Sequence, residues 1–241
     1  MSKFIRMITL NKLIFDIKNI AYGGDVSDDV KISDRQIAFW VKEARALLIR
    51  QELSSRMKVS DSWIQFLKCV DVEKVDASEC CVVNLNCYVL KSKKKVPDTI
   101  KRNARNTILS VESLDGGYSY SATTSFRSKY NNHNKYTKAA KRWYLKEGYL
   151  YITGNFLVDG VMLSGVFEDP EEVADFKPCT GETCFTWDSD YPVDMGMAGS
   201  ITDLVLSTKM GIARQMPGDI RNDAQGEQNA SAQRQVQKQA G

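Results

Sequence analysis

Apolar residues first recur at helical spacing at Leu10, Leu13, Ile14, Ile17 and Ile20, and Tyr22-Gly23-Gly24-Asp25 breaks the run. A polar stretch from Asp25 to Ile32 follows. Ser33 stands three residues before Gln36, a capping-box signature. From there Ile37, Trp40, Val41, Ala44, Leu47 and Leu48 trace one stripe, with Arg35, Lys42, Glu43 and Arg50 off it or at its edge. The spacing predicts a second helix to about Leu53 with Trp40 inside its packing face, and a short helical turn over Asp61–Phe66.

The period then changes. Cys81, Val83, Leu85, Cys87 and Val89 alternate as a half-buried strand does, and Val70, Val72, Thr107–Val111 and Val161–Phe167 read as further strands. Asp115-Gly116-Gly117 is a turn between Ser110-Val111 and Tyr118–Tyr120. Lys146-Glu147-Gly148 is a short hairpin connection between two aromatic strands, with glycine where positive φ is needed. Short strands with frequent turns predict a small antiparallel sandwich or barrel rather than a parallel sheet.

Helix returns near the end. Pro170 initiates a turn, and Met195, Ala198, Ile201, Leu204, Val205, Thr208 and Ile212 form another stripe, stopped by Pro217-Gly218. Beyond Asp219 the composition falls to Gln, Ala, Asn, Ser and Gly, too polar to offset its own ordering entropy. The expected fold class is therefore α+β. A helical bundle from residues 1–68 and 190–217 carries an inserted antiparallel β unit, residues 69–189, and an extended C-terminal arm, residues 218–241.

Composition narrows the function by exclusion. The 241 residues are 43% hydrophobic and 26% charged, ordinary for a globular chain, and a net charge of +3 does not by itself announce nucleic acid or membrane. No apolar run approaches the roughly 20 residues of a membrane span, and the N-terminus lacks the apolar core of an export signal. The chain is expected to be soluble. Its six cysteines, Cys69, Cys80, Cys81, Cys87, Cys179 and Cys184, are expected to be free thiols. A zinc reading of Cys179/Cys184 with Cys80/Cys81 suffers because adjacent strand residues point to opposite faces.

Catalytic motifs are missing: there is no GxGxxG, Walker loop, GxSxG or HExxH. The single histidine, His133, sits in a polar turn with no partner for relay chemistry. Acid clusters occur at Asp25/Asp28/Asp29, Glu168/Asp169/Glu171/Glu172 and Asp188/Asp190/Asp194. A glycosidase pair or a calcium loop could be built from such residues, but the first two clusters flank helix starts, where acids complement the dipole, and the rest of a calcium loop is missing. No enzyme, metal or cofactor is expected. Basic residues gather at Lys93, Lys94 and Lys95, at Lys101, Arg102 and Arg105, and around Lys135–Arg142, interleaved with Tyr130, Tyr136, Trp143 and Tyr144. That surface fits either protected strand edges or contact with DNA phosphates.

Several ordered motifs carry a resemblance across nearly the whole chain. They are Phe15-Asp-Ile-Lys-Asn-Ile-Ala-Tyr22, Ser27-Asp28-Asp29, Ser33-Asp-Arg-Gln36, Phe39-Trp40 and Arg45-Ala-Leu-Leu-Ile-Arg50. Asp61-Ser-Trp63-Ile-Gln, Glu79-Cys-Cys81, Asn134-Lys-Tyr136-Thr, Phe167-Glu-Asp-Pro170, Tyr191-Pro192 and Pro217-Gly-Asp-Ile-Arg-Asn-Asp223 follow. In this order they resemble head-to-tail connector proteins of crAss-like tailed bacteriophages.

The resemblance implies a virion structural subunit, one copy in a homo-oligomeric ring that docks beneath a twelve-fold portal. Genomic DNA would pass through its channel, and the portal and other tail ring proteins would be its partners. The expected partner-binding residues are Asp219, Ile220, Arg221, Asn222 and Asp223, with Lys93, Lys94, Lys95, Lys101, Arg102 and Arg105 at the channel or a sheet edge. The rival reading is a single-stranded nucleic-acid-binding module built on the basic and aromatic residues of the β unit.

Overall fold

The computed structural model describes residues 8–23, 32–56, 58–76, 88–103, 105–131, 140–154, 157–174, 176 and 185–211. Helix α1 (Leu10–Tyr22) starts where the Thr9 hydroxyl accepts the Lys12 N–H at 3.2 Å. It ends where Gly23, at φ 70°, turns its N–H back to the Asn19 carbonyl. Helix α2 (Asp34–Arg56) starts at Ser33, whose Oγ accepts the Gln36 N–H at 3.3 Å. A single 3₁₀ turn, Asp61–Trp63, then leads into a twelve-residue strand, β1 (Gln65–Asp76), so Phe66 belongs to sheet rather than to a helical turn.

The chain continues with β2 (Tyr88–Ser92), a tiny separate hairpin of β3 (Lys101–Arg102) and β4 (Arg105–Asn106), then β5 (Ile108–Ser113) and β6 (Ser121–Ala122). After the short helix α3 (Ser125–Asn131) come β7 (Arg142–Lys146), β8 (Tyr149–Thr153) and β9 (Gly160–Gly165). Helix α4 (Pro170–Ala174) follows, and α5 (Met195–Leu204) widens into π-type turns over Val205–Met210. Residues 81–87 of the expected alternating strand, the stop at Pro217-Gly218 and the arm lie outside the described residues.

Seven strands form one sheet in the order β5-β9-β1-β2-β8-β7-β6, antiparallel except for the short β6–β7 pair. Strand β1 pairs with β9 through Gln65–Asp71 and with β2 through Val72–Asp76, so its two halves serve opposite neighbours. The outer strands nearly meet. After the Asp115-Gly116-Gly117 turn, Ser113 N donates to Tyr118 O at 2.9 Å and Tyr120 N to Val111 O at 2.8 Å. The chain then becomes β6, and the sheet is a nearly closed barrel. The α+β expectation holds, with the barrel alternative realised. Strands β7 and β8 join through Glu147 (φ 55°) and Gly148 (φ 81°), the two left-handed residues of a type I′ turn. At Gly165 an added Cβ would lie 2.9 Å from the Thr107 carbonyl oxygen, so β9 and the start of β5 approach as closely as glycine alone allows.

Two large cores sit side by side. Leu13, Ile14 and Ile17 of α1 pack with Ile37, Val41 and Ala44 of α2 and with Ile201 and Val205. Leu67, Val72, Leu90, Val111, Leu150, Ile152 and Leu163 fill the barrel. A smaller cluster of Ile49, Leu53, Trp63, Ile100 and Val166 lies where α2 meets the sheet. The buried column of α2 is Ile37, Val41, Arg45, Ile49 and Leu53, four residues apart and all fully buried. This corrects the expected stripe. Trp40 and Leu48 are half-buried and Leu47 is 43% exposed, because α1 and the sheet approach the helix from a side rotated away from Trp40 and Leu47. A second correction concerns Cys69, which is disulfide-bonded and not a free thiol. The compartment argument speaks to redox environment, whereas folding decides which sulfurs meet. The other five cysteines lie outside the described residues.

Candidate subunit interface

The acid cluster that follows β9 is an internal clasp. Arg45 is fully buried on α2. Its Nε donates to Pro192 O at 2.9 Å and its Nη1 to Phe167 O at 2.8 Å and Glu168 O at 3.4 Å. Its Cζ lies 5.8 Å from the Tyr191 ring centre, while Nη2 and the Tyr191 hydroxyl are buried without a hydrogen-bond partner among the described residues. Burial lowers the Arg45 pKa from its ordinary value, yet a guanidinium remains charged at any physiological pH. Burial also pushes the Tyr191 phenol well above its usual range, against the pull of the Arg45 charge.

Two further cations of α2 reach the same stretch. Lys42 Nζ meets Asp169 Oδ2 at 3.0 Å and Glu171 Oε2 at 2.6 Å, and Arg50 Nη2 meets Glu168 Oε1 at 2.9 Å. Burial alone would lower the Lys42 pKa, but hydrogen bonds to Glu171 and Asp169 and the charges of both carboxylates raise it. Glu172, desolvated and facing the charges of Asp169 and Asp98, titrates above the usual carboxylate range. In the sequence Arg45 stands out only as part of the Arg45–Arg50 motif. Its place four residues after Val41 and four before Ile49 is the signal that puts it in the buried column.

On its outer side α2 runs antiparallel to α5, and the seam between them is open. Near one end a groove of about 350 Å³ lies between Trp40, Ala44 and Leu47 on one wall and Leu204, Val205 and Thr208 on the other. The ion pair of Glu43 with Lys209, at 2.9 Å, crosses its rim, and the neighbouring Phe39 is 57% exposed. Further along the same seam a cleft of about 760 Å³ opens between Leu48 and Gln51, Trp63, and Met197 and Ser200. The Asp194 carboxylate at its edge accepts from Ser60 at 3.0 Å and from Ser62.

The structure divides the expected basic residues into two groups. Lys93, Lys94 and Lys95 are exposed at the bend after β2. Lys91 and Lys95 lie 4.5 and 5.9 Å from the Tyr149 ring centre, and Val96 N donates to Gly148 O at 2.8 Å. Lys101, Arg102 and Arg105 belong to the β3–β4 hairpin, which turns at Asn103 (φ 47°), sets Arg102 opposite Arg105 and rests β3 against α2. The extended segment between Lys95 and Lys101 separates the groups by up to roughly 20 Å along the chain. A third lysine–tyrosine pair, Lys141 with Tyr118 at 4.0 Å, belongs to the start of β7.

The Asp188/Asp190/Asp194 cluster does not converge. Asn11 Nδ2 donates to Asp188 at 2.5 Å, Asp190 bridges to Thr9, and Asp194 faces Ser60. Among the described residues no group of three His, Cys, Asp or Glu side chains is placed to hold a metal, and no helix is long and apolar enough to cross a membrane. His133, the Asp25/Asp28/Asp29 cluster and the arm residues Asp219, Ile220, Arg221, Asn222 and Asp223 lie outside the described residues.

An α+β subunit clasped internally by a buried arginine and flanking ion pairs, with its apolar seam left on the surface, has the character of a building block for an assembly. The family model for phage tail ring protein 2 matches residues 12–230, nearly the whole chain. The chain belongs to that family, the tail ring proteins of crAss-like phages, and is a structural component of the tail ring. No curated protein matches it.

Proposed function

We propose that the chain forms the ring that joins the portal to the tail around the DNA channel. The supporting observation is the open α2–α5 seam on a chain whose family builds rings. In this reading the ring is a twelve-fold homo-oligomer that contacts the portal and other tail ring proteins. Residues 1–68 and 190–217 form the helical ring body, residues 69–189 are its β insertion, and the arm from 218 to 241 reaches onto a neighbouring protein through Asp219–Asp223. Closed rings need two unlike faces per subunit, and the seam supplies one of them.

Class averages of the purified assembly test the ring through its rotational symmetry. Co-sedimentation with the portal tests the joint. Deleting residues 219–241 is expected to leave the melting temperature of the isolated subunit nearly unchanged and to weaken attachment. A truncated ring that attaches normally defeats the arm assignment.

The second reading, a nucleic-acid-binding module, draws on the lysines stacked on Tyr149. Such a module would bind oligonucleotides as a small species, with affinity falling steeply as salt rises. A connector binds the portal strongly and DNA weakly.

A further inference from the structure

We infer that the disulfide partner of Cys69 is Cys179, and that their bond is a redox-sensitive staple tying the barrel to the chain that leaves α4. The staple is independent of the ring reading.

Chain geometry eliminates three of the candidates. Cys69 is disulfide-bonded, and the remaining cysteines are Cys80, Cys81, Cys87, Cys179 and Cys184. Bridged cysteines keep their Cα atoms within roughly 7 Å. From Cys69 to Asp76, β1 advances by roughly 23 Å. Tyr88 pairs with Asp76, so its neighbour Cys87 is held at that far end. Cys80 and Cys81 follow Asp76 by only four and five residues. Even after the tightest reversal a chain can make, Cys81 returns no further than the level of Glu73, roughly 13 Å short of Cys69. The partner is therefore Cys179 or Cys184.

Packing chooses between these two. Cys184 immediately precedes Phe185, which packs on the helical core with its ring centre 6.3 Å from that of Tyr191. Cys179 follows Phe176 by three residues, at most roughly 11 Å of chain. Phe176 belongs to the barrel core together with Leu67 and Val70, the buried residues that flank Cys69 along β1. Helix α4, just before Phe176, packs against β1. The chain leaving β2 marks the same neighbourhood. Lys93 N donates to Asp71 O at 2.9 Å, and two residues on Lys95 shares a cleft of about 500 Å³ with Phe176.

The position of Cys69 leaves the bond open to exchange. The pairing of β1 with β9 slips between Leu67 and Val70, so Cys69 lies in an irregular stretch of strand and is half-buried, within reach of a small thiol. Forming the bond takes two electrons and two protons from the two thiols. A small-molecule disulfide such as glutathione disulfide accepts them and leaves as two thiols, and a reducing medium runs the exchange backwards. Oxidation closes a loop of about 110 residues and fastens to β1 the chain beyond α4, the helix whose Glu171 holds Lys42 of α2.

The test maps the bond in the full-length protein. The chain is equilibrated with glutathione disulfide, its free thiols are capped with N-ethylmaleimide, and it is digested without reduction. Trypsin releases Cys69 in residues 69–74 and Cys80, Cys81 and Cys87 together in residues 75–91, and a second cut after Glu182 separates Cys179 from Cys184. The expected product is the 69–74 peptide linked to the Cys179 peptide. Reduction with a phosphine is expected to lower the melting midpoint by roughly 4–16 °C. Cys69→Ser and Cys179→Ser should both melt like the reduced wild type and ignore the phosphine, whereas Cys184→Ser should keep the full shift.

A 69–74 peptide that is capped, or linked to residues 75–91 or to Cys184, overturns the pairing whether or not the variants fold. A Cys179→Ser chain that retains the full shift does the same. The expected linkage with a midpoint that ignores reduction overturns the staple.

Discussion

Replacing Arg45 by methionine keeps most of the side chain's volume and withdraws its guanidinium from the carbonyls of Pro192, Phe167 and Glu168. Two of those bonds, at 2.9 and 2.8 Å, are short and buried. Their loss leaves two carbonyl oxygens without these donors, at about 1–3 kcal/mol each. Against this, the variant no longer holds a desolvated cation, and replacing buried ionic groups with apolar ones often returns about 1–4 kcal/mol. The carbonyls belong to the backbone and cannot be replaced along with the arginine, so the loss exceeds the gain. The centres of the two ranges leave an expected net destabilisation of about 1–2 kcal/mol, which for a chain of this size lowers the melting midpoint by roughly 2–8 °C. Urea unfolding of wild type, Arg45→Met and Arg45→Lys checks the number. Lysine keeps the charge without the fork that reaches several carbonyls, so it should fall at least as far as methionine. A midpoint unchanged in Arg45→Met would refute the argument, because packing alone would then account for the residue.

Gly165→Ala is expected to cost about 1–3 kcal/mol in the same assay, since the new methyl would meet the Thr107 carbonyl at 2.9 Å and β5 must shift. Trp40→Ala should cost only about 1–2 kcal/mol, below the ~3–5 of a fully buried aromatic, because the ring lines an open groove. Lys42→Met should show a pH-dependent penalty. The folded pKa of Lys42 lies above its ordinary 10.5, so its stabilisation is fully present below that value and is lost as pH rises through the folded pKa. The gap between wild-type and variant urea midpoints should therefore be constant from pH 7 to pH 9 and narrow above about pH 10.5; a gap that widens with alkali contradicts the clasp.

The parts of the fold legible in the sequence were those written in local chemistry. The Glu147-Gly148 turn, the Asp115-Gly116-Gly117 turn and the Ser33 cap each follow from residues a few positions apart, and the structure has all three. Periodicity found α2 but misjudged its rotation, because Trp40 and Leu47 are as apolar as Ile37 and Ile49, and only α1 and the sheet decide which column is covered. Glu168, Asp169 and Glu171 stand at the start of α4 as expected, with Asp169 Oδ1 accepting the Glu171 N–H at 2.8 Å, but their ionic partners Arg50 and Lys42 are more than a hundred residues away in the chain and leave no local signal. The basic clusters at Lys93–Lys95 and Lys101–Arg105 could be separated in the sequence but not placed, because the position of the extended segment between them depends on contacts such as the Ile100 N–H with the distant Val166 carbonyl. The α2–α5 seam had no signature, since a groove is a property of two helices and not of either one.

The clasp between α2 and the chain after β9 also has a mechanical meaning. Lys42, Arg45 and Arg50 grip it at three heights spread over eight residues, roughly 12 Å of helix. A rod held at one point can pivot, whereas a rod held at three levels resists tilting because every axis leaves at least one grip off it. A force applied to the barrel would therefore pass along α2 as displacement of the whole helix. The seam on its far side moves with it, so strain entering a subunit at the sheet is delivered to the helical face and not absorbed between the two.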